Sequence, residues 1–258
     1  MTDTLTDPGF EATYEASARA ELEAWKRHVL RGPGVWDRAT RGVQDRINSA
    51  IPEKVHAVVT KAIEQMTHGI LTGSGWTSAR PLTFATLQAR EVRVRDQIGF
   101  YRTTASVEGG VAGAGGFLLA AADFPVLMGL KVKMLFEIAA LYGHDGSDWR
   151  ERLYILHVFQ LAFSSARHRP EVLARLEDWI AGVNQPASLD EFDWRKFQLE
   201  YRDYIDLAKL AQLIPVIGAP VGAVVNYRLV DHLGRTAMNA WRMRAPGLAL
   251  PAAADSVS

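Results

Sequence analysis

The sequence contains no cysteine among its 258 residues, which excludes disulfides, thiolate metal sites and cysteine nucleophiles. It also lacks an excess of charge of either sign, because 29 basic residues balance 29 acidic ones. The basic footprint of a nucleic-acid-binding protein is missing, so we predict no nucleic-acid partner. The first ten residues lack the basic start and apolar run of a secretory signal, so we expect a cytoplasmic protein.

Motifs for nucleotide binding, metal binding and hydrolysis are absent as well. The chain holds no P-loop, dinucleotide fingerprint, HExxH zinc motif or GxSxG nucleophile elbow. The seven histidines include no pair four residues apart, the spacing that lets one helix hold a zinc ion. We therefore predict no metal and no cofactor.

What the sequence does contain is helical periodicity, without the alternation of apolar and polar residues that is typical of strands. We predict an all-α fold, a single multi-helix domain over residues 8–245, with loose ends at 1–7 and 246–258. Helices are predicted near residues 8–30, 52–70, 81–106, 126–142, 148–165, 170–183, 188–213 and 219–243. The prolines and glycines that mark predicted helix starts and ends are Pro52, Pro81, Pro125, Pro170, Gly32, Gly73, Gly143 and Gly182.

The helix predicted at 148–165 is apolar almost all round, which is typical of a helix buried on most sides. Asp148 and Glu151 precede its apolar run with the spacing of a capping box. His157 and Gln160 are its polar members and lie on one face. Buried polar groups need partners, so a hydrogen-bonded structural pair is one interpretation, and a catalytic or ligand-binding histidine is the other.

Two glycine-rich apolar stretches, residues 109–130 and 210–227, are unusual in a chain of this composition. The 18 residues of the second would reach about 27 Å as a helix, close to the roughly 30 Å of a bilayer's hydrocarbon core. However, Asp123 interrupts the first stretch, and Pro215 and Pro220 interrupt the second. We therefore expect either two central helical segments in a buried core or insertion into a membrane interface, and not two spanning helices.

Glycine spacing and flanking charge give these stretches candidate contact residues. Glycine pairs four residues apart let helix backbones approach closely, in a membrane or in a protein core. Residues 76–107 carry five arginines against two acids, and residues 228–244 carry four arginines against one acid, as expected beside an anionic leaflet. The candidates for membrane contact or close packing are Gly109, Gly113, Phe117, Gly218, Val221 and Gly222.

A second set of candidates consists of polar residues embedded in otherwise apolar sequence. Such groups are functional suspects, although they can also be structural by pairing with one another across helices. For a ligand pocket the candidates are Asp123, Lys131, Glu137, His157, Asn226 and Arg228.

Several segments occur in an order that resembles the EcsC protein family. They are LEAWKRH, IPEKVHAVVTKAIEQM, AADFPVLMGLKVKMLFEIAALYGHD, ERLYILHVFQLA and IPVIGAPVGAVVNYRLVDHLGRTAMNAWRMR, which together span roughly residues 22–244. The resemblance implies a helical protein with a transport- or envelope-related accessory role, because the family's namesake is membrane-associated and encoded beside ABC-transporter subunits. It supplies no catalytic residues that could be carried over.

The sequence features and the family resemblance together favour a non-enzymatic protein that associates with the inner face of the cell membrane. In this hypothesis, residues 109–130 and 210–227 bind lipid or a membrane partner, for which a transporter subunit is a candidate. One alternative is a soluble helical protein with an apolar pocket for a hydrophobic ligand. Another is a hydrolase-like enzyme built around His157 and Asp123.

Overall fold

The fold is built from α-helices. A computed structural model describes residues 8–31, 53–72, 80–114, 116–183 and 219–248. Within these ranges there are seven helices and no strand, so the all-α prediction is confirmed. The helices are α1 (Pro8–Leu30), α2 (Glu53–Thr72), α3 (Leu87–Ala114), α4 (Gly116–Leu141), α5 (Trp149–Phe163), α6 (Arg169–Ile180) and α7 (Ala219–Arg242). The helix predicted at 188–213 lies outside the described residues.

Two predicted helix starts are wrong. Pro125 lies inside α4, which begins at Gly116, because the leucine- and alanine-rich residues before the proline favour a helix. A proline in a helix interior removes one backbone hydrogen bond, and here it does not end the helix. The helix predicted from Pro81 begins at Leu87, because the Thr86 hydroxyl accepts a hydrogen bond from the amide of Ala89 and caps that end.

The predicted helix ends at Gly143 and Gly182 are confirmed. Both glycines have positive φ, +94° and +74°, which a residue with a side chain rarely adopts. After α4, the amide of Gly143 donates to Ala140 O (3.0 Å) and the amide of His144 to Ala139 O (2.9 Å). These two bonds are those of a Schellman motif, so they satisfy carbonyl groups that the helix end would leave unpaired.

The start of α5 confirms half of the predicted capping box. Asp148 is the N-cap, and its carboxylate accepts a hydrogen bond of 2.9 Å from the amide of Arg150. Glu151 does not return to the cap, because its two oxygens bind the guanidinium of Arg244 at 2.6 Å each. Although burial opposes it, these hydrogen bonds and one from His144 lower the pKa of Glu151 to about 2. The ion pair ties α5 to the segment after α7.

Helix α7 packs antiparallel along α3, and this pair organises the bundle. Arg242 at the end of α7 meets Glu91 near the start of α3, and Asp231 meets Arg102 further along. The backbones approach closely at Gly234, where a Cβ would come within 2.7 Å of the Ile98 side chain. The central position of α7 follows from its further contacts with α1, α4 and α5.

A buried ion pair joins the ends of α3 and α7. The Arg242 Nε and Nη2 atoms donate to the two oxygens of Glu91 at 2.7 and 2.6 Å, and both side chains are almost fully buried. The same carboxylate accepts hydrogen bonds from the hydroxyls of Tyr14 (2.6 Å) and Tyr142 (3.1 Å). A third arginine nitrogen, Nη1, binds Glu21 at 2.8 Å. The network therefore connects α1, α3, α7 and the turn after α4.

The bundle contains no membrane-spanning candidate in the described part of the chain. None of the helices α1–α7 is both long enough and apolar enough to cross a membrane.

The contact at Gly234 predicts a loss of stability in Gly234→Ala. The new methyl must displace Ile98, and overpacking of this kind costs about 1–3 kcal/mol, more than the gain in helix propensity of about 1 kcal/mol. Gly99→Ala is the matched control on α3, because a Cβ there meets nothing within 4 Å, and it should stabilise by about 0.5–1 kcal/mol. Urea unfolding measures both changes, and equal stability of the two variants would contradict the close approach.

Candidate functional site

Two of the polar candidates meet in the interior. The Lys131 ammonium on α4 donates to the side-chain oxygen of Asn226 on α7 at 3.3 Å and to Leu127 O at 3.2 Å. Both side chains are buried, and the Glu108 carboxylate on α3 attracts the ammonium. Burial nevertheless lowers the pKa of Lys131 to about 7. The predicted pairing across helices is therefore found for Lys131 and Asn226.

His157 and Gln160 lie within hydrogen-bond distance of each other, as the interpretation of a hydrogen-bonded pair predicts. The Nδ1 atom of His157 and the Gln160 side-chain oxygen are 3.4 Å apart, and both residues are buried in α5. The imidazole also packs against the Trp179 ring of α6, with 6.3 Å between centroids. Burial lowers the pKa of His157 to about 4, so the ring is neutral at pH 7. This environment is that of a packed core histidine.

The other polar candidates lie apart from these two pairs. Glu137 is half-buried on α4, where it accepts a hydrogen bond from Gln97 and lies 4.0 Å from Lys133. Arg228 is exposed on α7. Asp123 belongs to α4, but its side chain lies outside the part that the structure describes. The five candidates whose side chains the structure describes therefore do not converge on one pocket.

The candidates for close packing lie in three helices. Gly109 and Gly113 belong to α3, Phe117 to α4, and Val221 and Gly222 to α7. The side-chain environment of each of them, and the whole of Gly218, lie outside the described part of the chain. Their role in lipid or helix contact stays a prediction.

Apolar side chains are exposed on each of these three helices, which pack against one another. Val107 on α3 is 62% exposed, Val126 on α4 is 58% exposed and Val224 on α7 is 51% exposed. Along the chain, each valine is close to a residue of the Lys131 contacts: Val107 directly precedes Glu108, Val126 precedes Lys131 by five residues and Val224 precedes Asn226 by two. Tyr227, also exposed, follows Val224 by one turn. We call Val107, Val126, Val224 and Tyr227 the apolar end.

A groove of about 650 Å³ runs between α1, α3 and α7, and begins beside the apolar end. Trp25, Ile98 and Met238 supply apolar walls. The charged residues in its lining are Glu21, Arg95, Arg102, Asp231, Arg235 and Arg242. We call this the arginine groove.

One carboxylate holds two of these arginines. Asp231 Oδ1 accepts from Arg102 at 3.0 Å, and Asp231 Oδ2 accepts from Arg235 at 2.8 Å. The Arg102 guanidinium also lies 4.5 Å above the Tyr227 ring, an arrangement that favours a cation–π interaction. The apolar end and the arginine groove therefore share a boundary at Arg102 and Tyr227.

The opposite end of the bundle has a different surface. A second groove, also about 650 Å³, is lined there by residues of the loop before α3 and of the segment after α7. Phe84 in that loop is fully exposed and has a φ of +60°, in the left-handed region. The loop is fixed on both sides of Phe84, by Leu82 N to Ala140 O (2.7 Å) and Leu87 N to Glu11 Oε1 (2.8 Å).

Among the described residues, no group of three or more histidine, aspartate or glutamate side chains could hold a metal ion. The residues that sequence reasoning missed are those of the arginine groove and of the Glu91–Arg242 pair. The sequence did carry a signal for them, because both arginine-rich flanks, 76–107 and 228–244, contribute to the groove. Only the antiparallel packing of α3 on α7 brings the two flanks together.

Comparisons with known proteins find one matching family and two relatives. The family model described as the EcsC protein family matches residues 16–245. Protein EcsC of Bacillus subtilis (strain 168) is 40% identical over 225 residues, which cover 87% of this chain and 93% of that protein. A protein described as the uncharacterized protein YdbA of the same organism is 25% identical over 245 residues, covering 87% of this chain and 90% of its own length. No solved structure gives a significant match.

The burial of His157 predicts an acid-sensitive contribution to stability. Its folded pKa of about 4 lies below the ordinary value of 6.5, so the unfolded chain binds the proton more readily between these values. Stability should therefore fall as the pH drops from about 6.5 to about 4. Between pH 7 and pH 5, wild type should lose about 2 kcal/mol more than His157→Gln in urea unfolding.

His28→Gln is the matched control, because His28 is exposed on α1. It should lose as much stability as wild type between the two pH values. If His157→Gln and wild type lost the same amount, His157 would not be a buried neutral histidine.

Proposed function

The chain belongs to the EcsC protein family, and we propose that it is a non-enzymatic accessory protein that binds a membrane surface peripherally through its apolar end. The observation that carries the proposal is the exposure of Val107, Val126 and Val224 on three helices that meet at that end. Contiguous exposed apolar patches are typical of interaction surfaces, and we propose that these three valines belong to such a patch.

The adjoining sequence supports a lipid surface as the occupant. The exposed valines lie next to the glycine-rich ends of α3 and α4, residues 109–124, whose composition is apolar apart from Asp123. An apolar helix face inserts about 5–10 Å into a bilayer interface without spanning it. Shallow insertion of this kind does not require a spanning helix, and the described residues contain no candidate for one.

Cationic residues flank the apolar end at the depth of lipid headgroups. Arg102 precedes Val107 by five residues, about 8 Å along the helix axis. Arg228 follows Val224 by four residues and is exposed. Arginine beside an inserted apolar face is attracted to anionic headgroups, which favours the inner face of a bacterial membrane.

A transport- or envelope-related role beside a transporter subunit, as expected from the resemblance, fits this location.

The interior favours binding over catalysis. His157, the centre of the hydrolase hypothesis, is buried against Gln160 and Trp179. The Lys131 ammonium is held by Asn226 and a backbone carbonyl. Both polar pairs have the contacts of structural elements, so the surface at the apolar end is the stronger candidate for function.

Vesicle flotation tests the proposal. Wild type should float with neutral phosphatidylcholine vesicles and remain bound at high salt, because apolar insertion is not screened. Val107→Asp and Val224→Asp should each weaken binding about tenfold or more, since a buried valine contributes about 1.5–3 kcal/mol and a carboxylate resists insertion.

Val92→Asp is the matched control, because Val92 is an exposed valine of α3 that lies 15 residues from Val107, about 22 Å along the helix. It should bind vesicles as wild type does. Unchanged flotation of folded Val107→Asp and Val224→Asp would place the contact elsewhere. No flotation of wild type with any vesicle would overturn the proposal.

A further inference from the structure

The arginine groove has the geometry of an anion site next to the proposed membrane contact. We propose that its Arg102–Asp231–Arg235 end binds the phosphate group of an anionic phospholipid headgroup. This inference rests on the proposed function, to which it adds the class of lipid that the protein prefers. It is drawn from the charges, contacts and position of three side chains.

The first argument is that the acidic side chains do not neutralise all the arginines of the groove. Asp231 binds both Arg102 and Arg235, one with each oxygen. Two guanidinium groups and one carboxylate leave one positive charge. The other arginines of the groove are Arg242, which is neutralised by Glu91 and Glu21, and Arg95, which also lies 3.4 Å from Glu91. Among the described residues, the surplus charge therefore lies at the Asp231 end, where it suits a singly charged phosphodiester.

The second argument is that the guanidinium groups at the Asp231 end of the groove still have N–H donors to offer to a ligand. Arg235 is 73% exposed, so donors of its guanidinium remain open to solvent. The Arg102 side chain is 32% exposed, although its Nε atom is buried and has no hydrogen-bond partner in the described part of the protein. Guanidinium groups bind phosphate through paired N–H donors, and two adjacent guanidiniums can hold one phosphate group from two sides.

The third argument is preorganisation. Arg102 is held by Asp231 on one side and by the Tyr227 ring on the other, so its guanidinium loses little freedom when an anion binds. The close contact of Gly234 with Ile98 fixes the separation of the two helices that carry the arginines. The site is therefore formed before the ligand arrives.

The fourth argument is position, which distinguishes a lipid from a free phosphate. Tyr227 belongs to the apolar end and also stacks on Arg102, so the anion site and the inserting surface are continuous. Arg102 lies about 8 Å from Val107 along α3. When the valines enter the interface, the guanidinium groups reach the level of the phosphates.

The experiment compares flotation on phosphatidylcholine vesicles with flotation on equimolar phosphatidylcholine and phosphatidylglycerol vesicles. Wild type should prefer the anionic vesicles, and each arginine should contribute about fivefold to that preference. Arg102→Gln and Arg235→Gln should each reduce the preference, and the double variant should lose most of it while it still floats on neutral vesicles. Arg235→Gln alone keeps the test valid if Arg102→Gln does not fold.

Asp231→Asn supplies a test with the opposite sign. Removal of the shared carboxylate raises the surplus from one positive charge to two, so the preference for anionic vesicles should increase severalfold. A purely structural role of Asp231 predicts no such increase in a folded protein. Asp96→Asn changes the charge equally at an exposed position of α3 outside the groove and should have little effect.

Arg93→Gln is the matched control for the arginines. Arg93 is exposed on α3, and nine residues, two and a half helical turns, place it on the face opposite to Arg102. Equal losses in Arg93→Gln and Arg102→Gln would show that any surface charge suffices and would overturn the inference. So would an unchanged preference in the folded double variant.

Inorganic phosphate and glycerophosphoglycerol, the soluble headgroup, distinguish the two sources of phosphate. Glycerophosphoglycerol should compete with anionic vesicles, and Arg235→Gln should weaken that competition. If both soluble phosphates bound the groove but wild type floated equally on both vesicle types, a free phosphate and not a lipid would be the ligand. If wild type floated with none of the vesicles, the membrane proposal would be overturned. Binding of glycerophosphoglycerol to the groove would then test the anion site separately: binding would support the site, and no binding would overturn it.

Discussion

The buried ion pair between Glu91 and Arg242 fixes the register of the two central helices, and the rest of the bundle depends on that register. Two buried charged groups are stable only when nearly all their charges and hydrogen-bonding positions are paired. Loss of one partner of such a pair typically lowers the free energy of unfolding by about 3–5 kcal/mol. Here the pairing is bidentate, and the hydroxyls of Tyr14 and Tyr142 satisfy the same carboxylate. A slip of one turn, about 5.4 Å, between α3 and α7 would leave Glu91 and Arg242 unpaired in the interior.

That register decides which surfaces the two ends of the bundle present. At one end, the Schellman turn at Gly143 and the ion pair of Glu151 with Arg244 hold the polypeptide compactly. Toward the other end, the helices bring Lys131 and Asn226 into contact in the interior, and the same helices carry the exposed Val107, Val126 and Val224. The two ends of the bundle therefore differ. One of the two ends described has exposed valines next to arginines that are not fully neutralised.

Periodicity and local chemistry were sufficient to predict the helices, because capping and glycine turns are encoded within a few residues, as at Asp148 and Gly143. The exceptions were Pro125, where a strong helix-forming segment overrides the proline, and Pro81, after which the helix begins only at Leu87. Pairs within one helix, such as His157 with Gln160, were equally predictable. The ion pair of Glu91 with Arg242 was not, since 151 residues separate its members and no local pattern records which helices meet.

The depth of single positions in a bilayer tests end-on docking most directly. Because the chain has no cysteine, Val107→Cys, Val224→Cys and Phe84→Cys each allow one nitroxide label, whose exposure to oxygen and to a water-soluble relaxation agent is measured by electron paramagnetic resonance on phosphatidylcholine vesicles. Docking through the apolar end predicts that the labels at positions 107 and 224 enter the lipid, and that the label at position 84 stays in water. A label in lipid at position 84, or aqueous labels at 107 and 224 in the vesicle-bound protein, would contradict it.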